Sequence, residues 1–229
     1  MKKVWIYARN ILIFFFVSTL LTVIIYRFVP VCITPLMLIR NIEQLFGGDK
    51  LSLKKEWVSI DKISPNMINA VIASEDNNFM SHFGFDFDAI EKAQKRNKKG
   101  GRVYGASTIT QQTAKNVFLW PQRSWVRKGF EVYFTLLIET FWSKERIMEV
   151  YLNVIETGKG IYGVQRASQI YFDKPASKLT KSQAALIAVS LPNPRRFSPQ
   201  TPSSYLYKRQ NQIIKLMSLI GNTDLKNKD

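Results

Sequence analysis

The chain has 229 residues, a formal net charge of +16 and 46% hydrophobic residues, and aromatic residues make up 13% of the total. That apolar content excludes a disordered chain, and the length allows one membrane segment followed by a globular domain of roughly 150 to 200 residues. The charge indicates a polyanionic partner, such as nucleic acid, anionic lipid or a phosphorylated substrate, while the single cysteine, Cys32, excludes an intrachain disulfide.

The first element is an apolar segment at residues 11–29, and its stretch 11–26 carries no charge. Its length approaches the roughly 20 residues that cross a bilayer, so we predict a transmembrane helix after a tail of residues 1–10. Basic residues before the span favour a cytoplasmic N-terminus, although Arg27 and Arg40 beyond it weaken the asymmetry. A cleaved signal peptide is the alternative, but no small-x-small cleavage site follows the apolar run.

Residues 30–55 form a predicted juxtamembrane segment. An apolar face through Ile33, Leu36 and Met37 is too short to span a bilayer. It predicts either a helix lying along the membrane surface or a linker helix packed on the domain. The sequence GGDK at residues 47–50 then marks a break.

The rest of the chain is predicted to be mainly α, because it contains no run of alternating strands. Ser64 with Pro65, Ser107 and Thr180 each provide a helix start. The predicted helices cover about residues 65–76, 107–119, 126–142, 144–154, 181–191 and 203–220. The segment 91–102 contains six basic residues and is predicted to be a mobile lid or a solvated flexible loop.

Glu75 and Asp76 are the first candidate catalytic residues. Glu75 ends an apolar helix face, and a carboxylate beside apolar packing has a raised pKa that suits a general base. Asp76 points about 100° away on the same helix, so we expect a different role for it. A solvated helix end is the alternative for both, and His82, the only histidine, is interpreted as a structural residue rather than a catalyst.

The stretch GASTITQQTAKN, residues 105–116, places hydroxyls, amides and a lysine at a predicted helix start, which suits binding of sugars and phosphates. An ordinary polar helix face is the alternative. The candidate substrate-binding residues here are Ser107, Thr108, Gln111, Gln112, Lys115 and Asn116.

The stretch RSWVRKGFE, residues 123–131, suggests a cationic clamp for pyrophosphate through Arg123, Arg127 and Lys128. Glu131 lies four residues after Arg127, so the two residues form either a modest surface salt bridge or part of the clamp. A divalent cation, Mg²⁺ or Mn²⁺, held by Glu131 at the phosphates is a further expectation.

These segments together resemble the ordered motif set of the peptidoglycan glycosyltransferases, the transglycosylase domains found alone or fused to penicillin-binding transpeptidase domains. The similarity covers about residues 56–220, followed by a polar tail at 221–229, and it resembles the monofunctional biosynthetic form. The matching motifs are SEDNNFMSHFGFD, GASTITQQTAKN, RKGFE, SKERIMEVYLN, GKGIYGVQRASQIYF and LPNPRRFSP.

The resemblance implies a lysozyme-like glycosyltransferase domain that polymerises lipid II into β-1,4-linked glycan strands and releases undecaprenyl diphosphate. It implies that Glu75 is the general base and that Glu131 is a second catalytic carboxylate that organises the phosphate region. It also implies that Lys115 and Arg123 contact the diphosphate. The implied partners are lipid II, the growing glycan chain, membrane lipids and other cell-wall synthesis proteins, with the domain on the periplasmic side of the inner membrane.

Two other classes of function remain as alternatives. A lytic glycosidase would share the helical fold and the glutamate, but hydrolysis needs no cationic clamp for a prenyl diphosphate. A membrane-tethered nucleic-acid binder would explain the charge, but the basic run has no interleaved aromatic residues. We therefore expect no nucleic-acid partner.

Overall fold

The described residues, 2–48, 51–100, 105–221 and 223–225 of a computed structural model, form ten α-helices and three short strands. The helices are α1 (Lys2–Phe28), α2 (Pro35–Phe46), α3 (Pro65–Glu75), α4 (Phe87–Lys98), α5 (Ile109–Phe118), α6 (Trp125–Phe141), α7 (Lys144–Val154), α8 (Val164–Phe172), α9 (Lys181–Ser190) and α10 (Ser204–Ile220). The strands are β1 (Lys54–Lys55), β2 (Glu156–Gly158) and β3 (Ile161–Tyr162). The prediction of a mainly α protein is therefore confirmed.

Side-chain caps define where the central helices begin. Thr108 and Gln111 form a capping box at the start of α5, and Thr180 and Gln183 form another at the start of α9. Such reciprocal bonds satisfy backbone N–H groups that a helix start leaves without partners. Ser64 caps α3 ahead of a first-turn proline, as the sequence predicts.

Two groups of helices enclose the core. In one group α3, α9 and α10 pack together, and in the other α5 packs on both α6 and α7. Fully buried side chains from both groups, including Met67, Ile109, Ile138 and Tyr151, belong to one continuous hydrophobic cluster. The C-terminal end of α3 consequently lies against α5.

The small sheet has the strand order β1-β3-β2. Strands β1 and β3 are parallel, with Lys54 opposite Ile161. Strands β2 and β3 are antiparallel, with Glu156 opposite Tyr162. Strands of two or three residues carry no periodic signal, so the sequence did not predict them. The sheet ties the segment after α2 to the connection between α7 and α8.

The expectation of an irregular loop at residues 91–102 is wrong for its first part, which lies in α4. Asp86 caps this helix by accepting a hydrogen bond from the backbone N of Ala89 at 2.8 Å. Three basic residues in the last turn favour the helix further, because they interact well with its negative C-terminal end. Gly101 and Arg102 of the predicted lid lie outside the described residues.

Within the described part of the chain, one helix is long and apolar enough to cross a membrane, over Lys3–Phe28. This helix, α1, packs along α6 rather than standing apart from the domain. The rings of Phe15 and Phe130 lie 5.7 Å apart between centroids, and the hydroxyls of Thr19 and Tyr133 lie 2.8 Å apart.

The C-terminal end of α1 is also held by the domain. The indole Nε1 of Trp142 donates to the backbone oxygen of Val23 at 2.8 Å. The guanidinium of Arg146 donates to the backbone oxygens of Tyr26, at 2.8 Å, and of Val29. The last four carbonyls of a helix lack partners within it, and that of Tyr26 is one of them, so Arg146 caps α1 from the domain while Trp142 adds a contact one turn earlier.

The juxtamembrane helix α2 contacts α5, which confirms the expectation of a linker helix packed on the domain. Met37 and Leu36 are its buried apolar anchors, and Thr34 caps it through the backbone N of Met37. Its opposite face exposes Leu38, Ile42 and Leu45, so the expectation of contact with a membrane surface stays a prediction.

Past α10, the predicted polar tail is partly packed on the domain. The backbone N of Thr223 donates to Oδ1 of Asn69 at 3.2 Å, and Leu225 is buried. The interpretation of residues 221–229 as a polar tail is therefore wrong for these positions. Asn222 and residues 226–229 lie outside the described part of the chain.

Candidate active site

Glu75 lies at the last position of α3, where that helix meets α5. Its Oε2 accepts a hydrogen bond from Nε2 of Gln112 at 2.9 Å, and its Oε1 accepts one from Oγ of Ser74 at 3.1 Å. The backbone leaves helical geometry at Asp76, which has φ −162°. The carboxylate is thus partly buried at a helix end with both oxygens oriented.

Burial is the main cause that raises the pKa of Glu75, and the neighbouring charge of Asp76 adds to it. The hydrogen bonds from Gln112 and Ser74 oppose this rise, as does the positive charge of Lys115. A carboxylate whose pKa is raised by desolvation is a stronger base once it is ionised. The raised pKa that the apolar helix face predicts is therefore present.

Asp76 has a different environment, as the helix geometry predicts. It is buried, and its carboxylate lies 2.9 and 3.0 Å from Nε2 of His82. Oδ2 also accepts a hydrogen bond from the backbone N of Ile109, the first residue of α5, at 3.0 Å. Asp76 thereby joins three segments, and His82 has the structural contact that its interpretation requires.

The polar residues of α5 divide into two sets. Gln112 faces Glu75, and its Oε1 accepts a hydrogen bond from the buried hydroxyl of Tyr151 at 3.3 Å. Thr108 and Gln111 are buried in the capping box, and the hydroxyl of Thr108 also donates to the backbone oxygen of Gly84 at 2.7 Å. Their polar groups are used within the protein, so a direct contact of these two with sugar stays a prediction.

Gly84 allows a tight bend of the chain beside the site. It has φ 78°, and a side chain there would approach Cγ2 of Thr135 to 2.6 Å. Glycine adopts such a backbone conformation without steric cost. The bend brings the Gly84 carbonyl to the start of α5 and so fixes one wall of the site.

Lys115 follows Gln112 by one helical turn and links the two carboxylates of the site. Burial is the main cause that lowers the pKa of Lys115, and the charges of Glu131 and Glu75 oppose this. The ammonium group is therefore within electrostatic reach of both Glu75 and Glu131. Asn116, on the same helix, is buried beside it.

Two of the three residues of the predicted cationic clamp, Arg127 and Lys128, form an ion-paired cluster with Glu131 on α6, and the binding of pyrophosphate by this cluster stays a prediction. Arg127 Nη1 lies 2.7 Å from Oε2 of Glu131, and Lys128 Nζ lies 2.5 Å from Oε1. Glu131 is only 3% exposed, so the alternative of a surface salt bridge is wrong. Arg123, ahead of the helix, is exposed to solvent. Two cations around one carboxylate leave a net positive charge beside Lys115.

The donor set at Glu131 does not fit a metal site made by the protein alone. Both of its carboxylate oxygens are already in ion pairs, and no group of three or more His, Cys, Asp or Glu residues occurs among the residues that the structure describes. Divalent cations such as Mg²⁺ take several oxygen ligands at once. We therefore derive no catalytic step through a metal.

Two cavities meet at Glu75. One, of about 310 Å³, extends under α4 and is lined also by Lys92, Arg96 and Ser107. The other, of about 340 Å³, extends towards the aromatic side chain of Phe197. A third cavity, of about 190 Å³, is lined by the next part of α5, through Gln112, Lys115 and Asn116. The geometry thus leaves space for a substrate on two sides of the carboxylate.

Sequence reasoning missed several residues that line or support the site. Lys92 and Arg96 belong to a helix predicted as a loop, and Tyr151 was assigned to a structural motif. Asn153, of that same motif, is structural, because its side chain bonds both the N and the O of Val58 at 2.9 Å. Only the basic character of the segment at 91–102 signalled that α4 borders a site for an anionic ligand.

The site has the parts of an enzyme that transfers a group from a phosphate to a hydroxyl. A base next to open cavities can remove a proton from a hydroxyl, and preorganised cations nearby stabilise the charge of a departing phosphate. These features define the class of protein as a group-transfer enzyme.

The comparisons with known proteins identify the family. A family described as "Transglycosylase" matches residues 42–218, beginning inside α2 and ahead of the predicted domain start at residue 56. The chain is 66% identical over 219 residues to a protein of Bacteroides thetaiotaomicron named "Biosynthetic peptidoglycan transglycosylase", covering 96% of this chain and 88% of that protein. It belongs to the transglycosylase family, as the motifs predict.

Further relatives carry the same name. A protein of Bdellovibrio bacteriovorus is 59% identical over 210 residues, covering 92% of this chain and 83% of that protein. A protein of Pasteurella multocida is 49% identical over 216 residues, covering 94% of this chain and 88% of that protein. The similarity therefore includes both the N-terminal helix and the domain.

Proposed function

We propose that the chain polymerises lipid II into β-1,4-linked glycan strands of peptidoglycan and releases undecaprenyl diphosphate. It is a peptidoglycan glycosyltransferase by its family, and its relatives are named for the biosynthetic reaction. One observation supports the site most directly. Glu75 has a raised pKa, is oriented by Gln112, and lies within electrostatic reach of the Lys115 ammonium.

In the proposed reaction, ionised Glu75 takes the proton of the 4-hydroxyl on the acceptor's N-acetylglucosamine. The oxygen forms a bond to the anomeric carbon of the donor as the bond to the diphosphate breaks, so the carbon is inverted. The diphosphate leaves with the electron pair of that bond. Lys115 and the Arg127–Lys128 pair stabilise its negative charge, because fixed cations in a water-poor site act strongly on developing charge.

The cations distinguish this function from that of a lytic glycosidase. Hydrolysis of a finished glycan releases no phosphate, so the buried Arg127 and the partly exposed Lys128 around Glu131 would have no task in it. The raised pKa of Glu75 is compatible with either reaction, whereas the cationic cluster and the biosynthetic names of the relatives favour synthesis.

The test is the substitution Glu75→Gln, which we expect to abolish polymer formation from labelled lipid II. The pKa of Glu75 is higher in the folded state than in the unfolded state, so folding favours the protonated form. Stability is consequently lost as the pH rises through the interval between these two values. At neutral pH the uncharged glutamine should leave the melting temperature equal or higher.

Glu91→Gln is the matched control, because Glu91 is exposed and its carboxylate pairs with Lys95 one turn further along the same helix. It should polymerise lipid II at the normal rate. Near-normal polymer from the Glu75 variant would remove Glu75 as the base. The same assay, run with Mg²⁺, with Mn²⁺ and with a chelator, measures whether the reaction needs a divalent cation at the diphosphate.

We also propose that α1 spans the inner membrane with its N-terminus in the cytoplasm and the domain in the periplasm. Its length and apolar character support this, as do the basic residues ahead of the span. The growing glycan, membrane lipids and other proteins of cell-wall synthesis are the partners that follow from this placement.

A further inference from the structure

A second charged cluster lies where α2 meets the domain. Arg40, on α2, places Nη1 2.6 Å from Oε2 of Glu43 on the same helix, and its Nε lies 3.8 Å from Oε2 of Glu156 on β2. Arg195, in the loop after α9, lies 3.9 Å from Glu43. Two cations and two carboxylates from three parts of the chain thus meet outside the cluster around Glu131.

This charged cluster borders the active site. Arg40 and Glu156 line the same cavity of about 190 Å³ as Lys115, Gln112 and Asn116. Gln112 is the residue that holds Glu75, so the cavity adjoins the proposed base directly. Its remaining walls are apolar and are formed by Leu36, Leu119, Trp120, Pro121, Ile155, Leu191, Pro192 and Pro194.

The guanidinium of Arg40 has unused hydrogen-bonding capacity. Its Nε is buried and has no hydrogen-bond acceptor among the described residues, since Glu156 lies beyond hydrogen-bond distance. A buried donor without a partner is unfavourable until an acceptor arrives. Two guanidinium N–H groups together match the oxygens of a phosphate.

Docking of α2 does not depend mainly on Arg40. Its close partner, Glu43, is on the same helix three residues further on, and the contact that does reach the domain, from Nε to Oε2 of Glu156, is longer, at 3.8 Å. The buried side chains of Leu36 and Met37 connect α2 to the domain. Arg40 is therefore available for a ligand at little cost to the position of the helix.

We propose that Arg40 is a further substrate-binding residue, which contacts the diphosphate of the lipid-linked donor opposite Lys115. This inference rests on the proposed function. α2 directly follows the predicted span, so Arg40 lies where a lipid held in the bilayer presents its phosphates. The apolar walls suit the first carbons of the prenyl chain, and Glu43 and Glu156 hold the guanidinium in the absence of phosphate.

The experiment measures lipid II polymerisation by the full-length protein in detergent, together with inhibition by undecaprenyl diphosphate. Arg40→Ala should raise the KM for lipid II and the inhibitory concentration of undecaprenyl diphosphate about tenfold, as expected for loss of a charge-assisted hydrogen bond. Arg166→Ala is the matched control, because Arg166 also pairs with a residue three positions on, Gln169 at 2.8 Å. It should leave both values unchanged.

Glu156→Gln separates binding from a structural role. The amide keeps the size of the side chain and removes a negative charge. That charge competes with phosphate for Arg40 and repels the phosphate, so without it the KM for lipid II should fall about threefold. If Arg40 only formed a salt bridge within the fold, both variants would change the KM in the same direction and lower the melting temperature alike.

The outcomes distinguish the two proposals. Absence of polymer from the wild-type protein would overturn the proposed function, and direct binding of labelled undecaprenyl diphosphate that weakens after Arg40→Ala would then still support the binding site. Polymerisation with a KM within twofold of wild type in the Arg40→Ala variant would overturn the role of Arg40 and leave the proposed function standing.

Discussion

At the scale of single residues, a chain of hydrogen bonds between neutral groups ends at Glu75, the candidate general base. The hydroxyl of Tyr151 donates to Gln112, and the amide of Gln112 donates to Glu75. The amide favours the ionised carboxylate, because it donates a hydrogen bond to it. Burial has the opposite effect, so the pKa of Glu75 reflects a balance that one substitution can shift.

We predict that Gln112→Ala moves the acid limb of the pH–kcat profile to higher pH. A general base must be deprotonated to act, so activity falls as the pH drops through its pKa. Without the amide donor, the already raised pKa of Glu75 rises further. Gln94→Ala, an exposed glutamine on α4, is the control and should leave the profile in place. An acid limb that stays put or moves to lower pH in the Gln112 variant would contradict this role.

Sequence reasoning identified Glu75 as the candidate base but not the residues that surround it. Helical geometry separates Glu75 from Asp76, and that difference can be deduced from two adjacent letters. Gln112 and Tyr151 are 37 and 39 positions away from their partners, and no pattern within one helix gives the register between helices. The spacing of Thr108 and Gln111 did carry a signal, because a threonine followed three residues later by glutamine is a capping box.

At the scale of secondary-structure elements, helices with clear caps were predicted well. The predicted helices at 65–76, 144–154 and 181–191 match α3, α7 and α9 to within one residue at each end. The charged helix α4 was missed because its polar sequence resembles a solvated loop. The short helix α8 was missed as well, because it begins at a glycine without a side-chain cap.

We predict that Gly129→Ala raises the free energy of unfolding by about 1 kcal/mol, the usual difference between the two residues inside a helix. Gly129 is exposed within α6, and an added methyl group would meet nothing within 4 Å. Chemical denaturation in detergent measures the change. Gly163→Ala serves as the opposite control, since it has φ 77° and a side chain there would approach the backbone oxygen of Asn153 to 2.8 Å. Destabilisation by Gly129→Ala would show that the position serves another contact.

At the scale of the whole molecule, the topology can be tested with one native residue. Cys32 is the only cysteine, it is exposed, and it lies just past the C-terminal end of α1. We predict that a membrane-impermeant maleimide labels it in intact spheroplasts. Cys32→Ser gives the background signal. Labelling that requires permeabilised membranes would place the domain on the cytoplasmic side instead.

The family and the mainly α fold were within reach of the sequence, because several motifs occur in order along one chain. The docking of α1 was not. Its contacts through Thr19 and Trp142 join positions more than 110 residues apart, and its apolar pattern gives the same prediction for a free anchor as for a packed one.

That docking joins the domain firmly to α1. Contacts with the domain recur from Phe15 to Val29, a distance of roughly 20 Å along a helix axis. Once α1 lies in a bilayer, its tilt adjusts to the thickness of the hydrocarbon layer. Because α1 is docked on the domain, a change in its tilt also changes the angle at which the cleft faces the lipid surface.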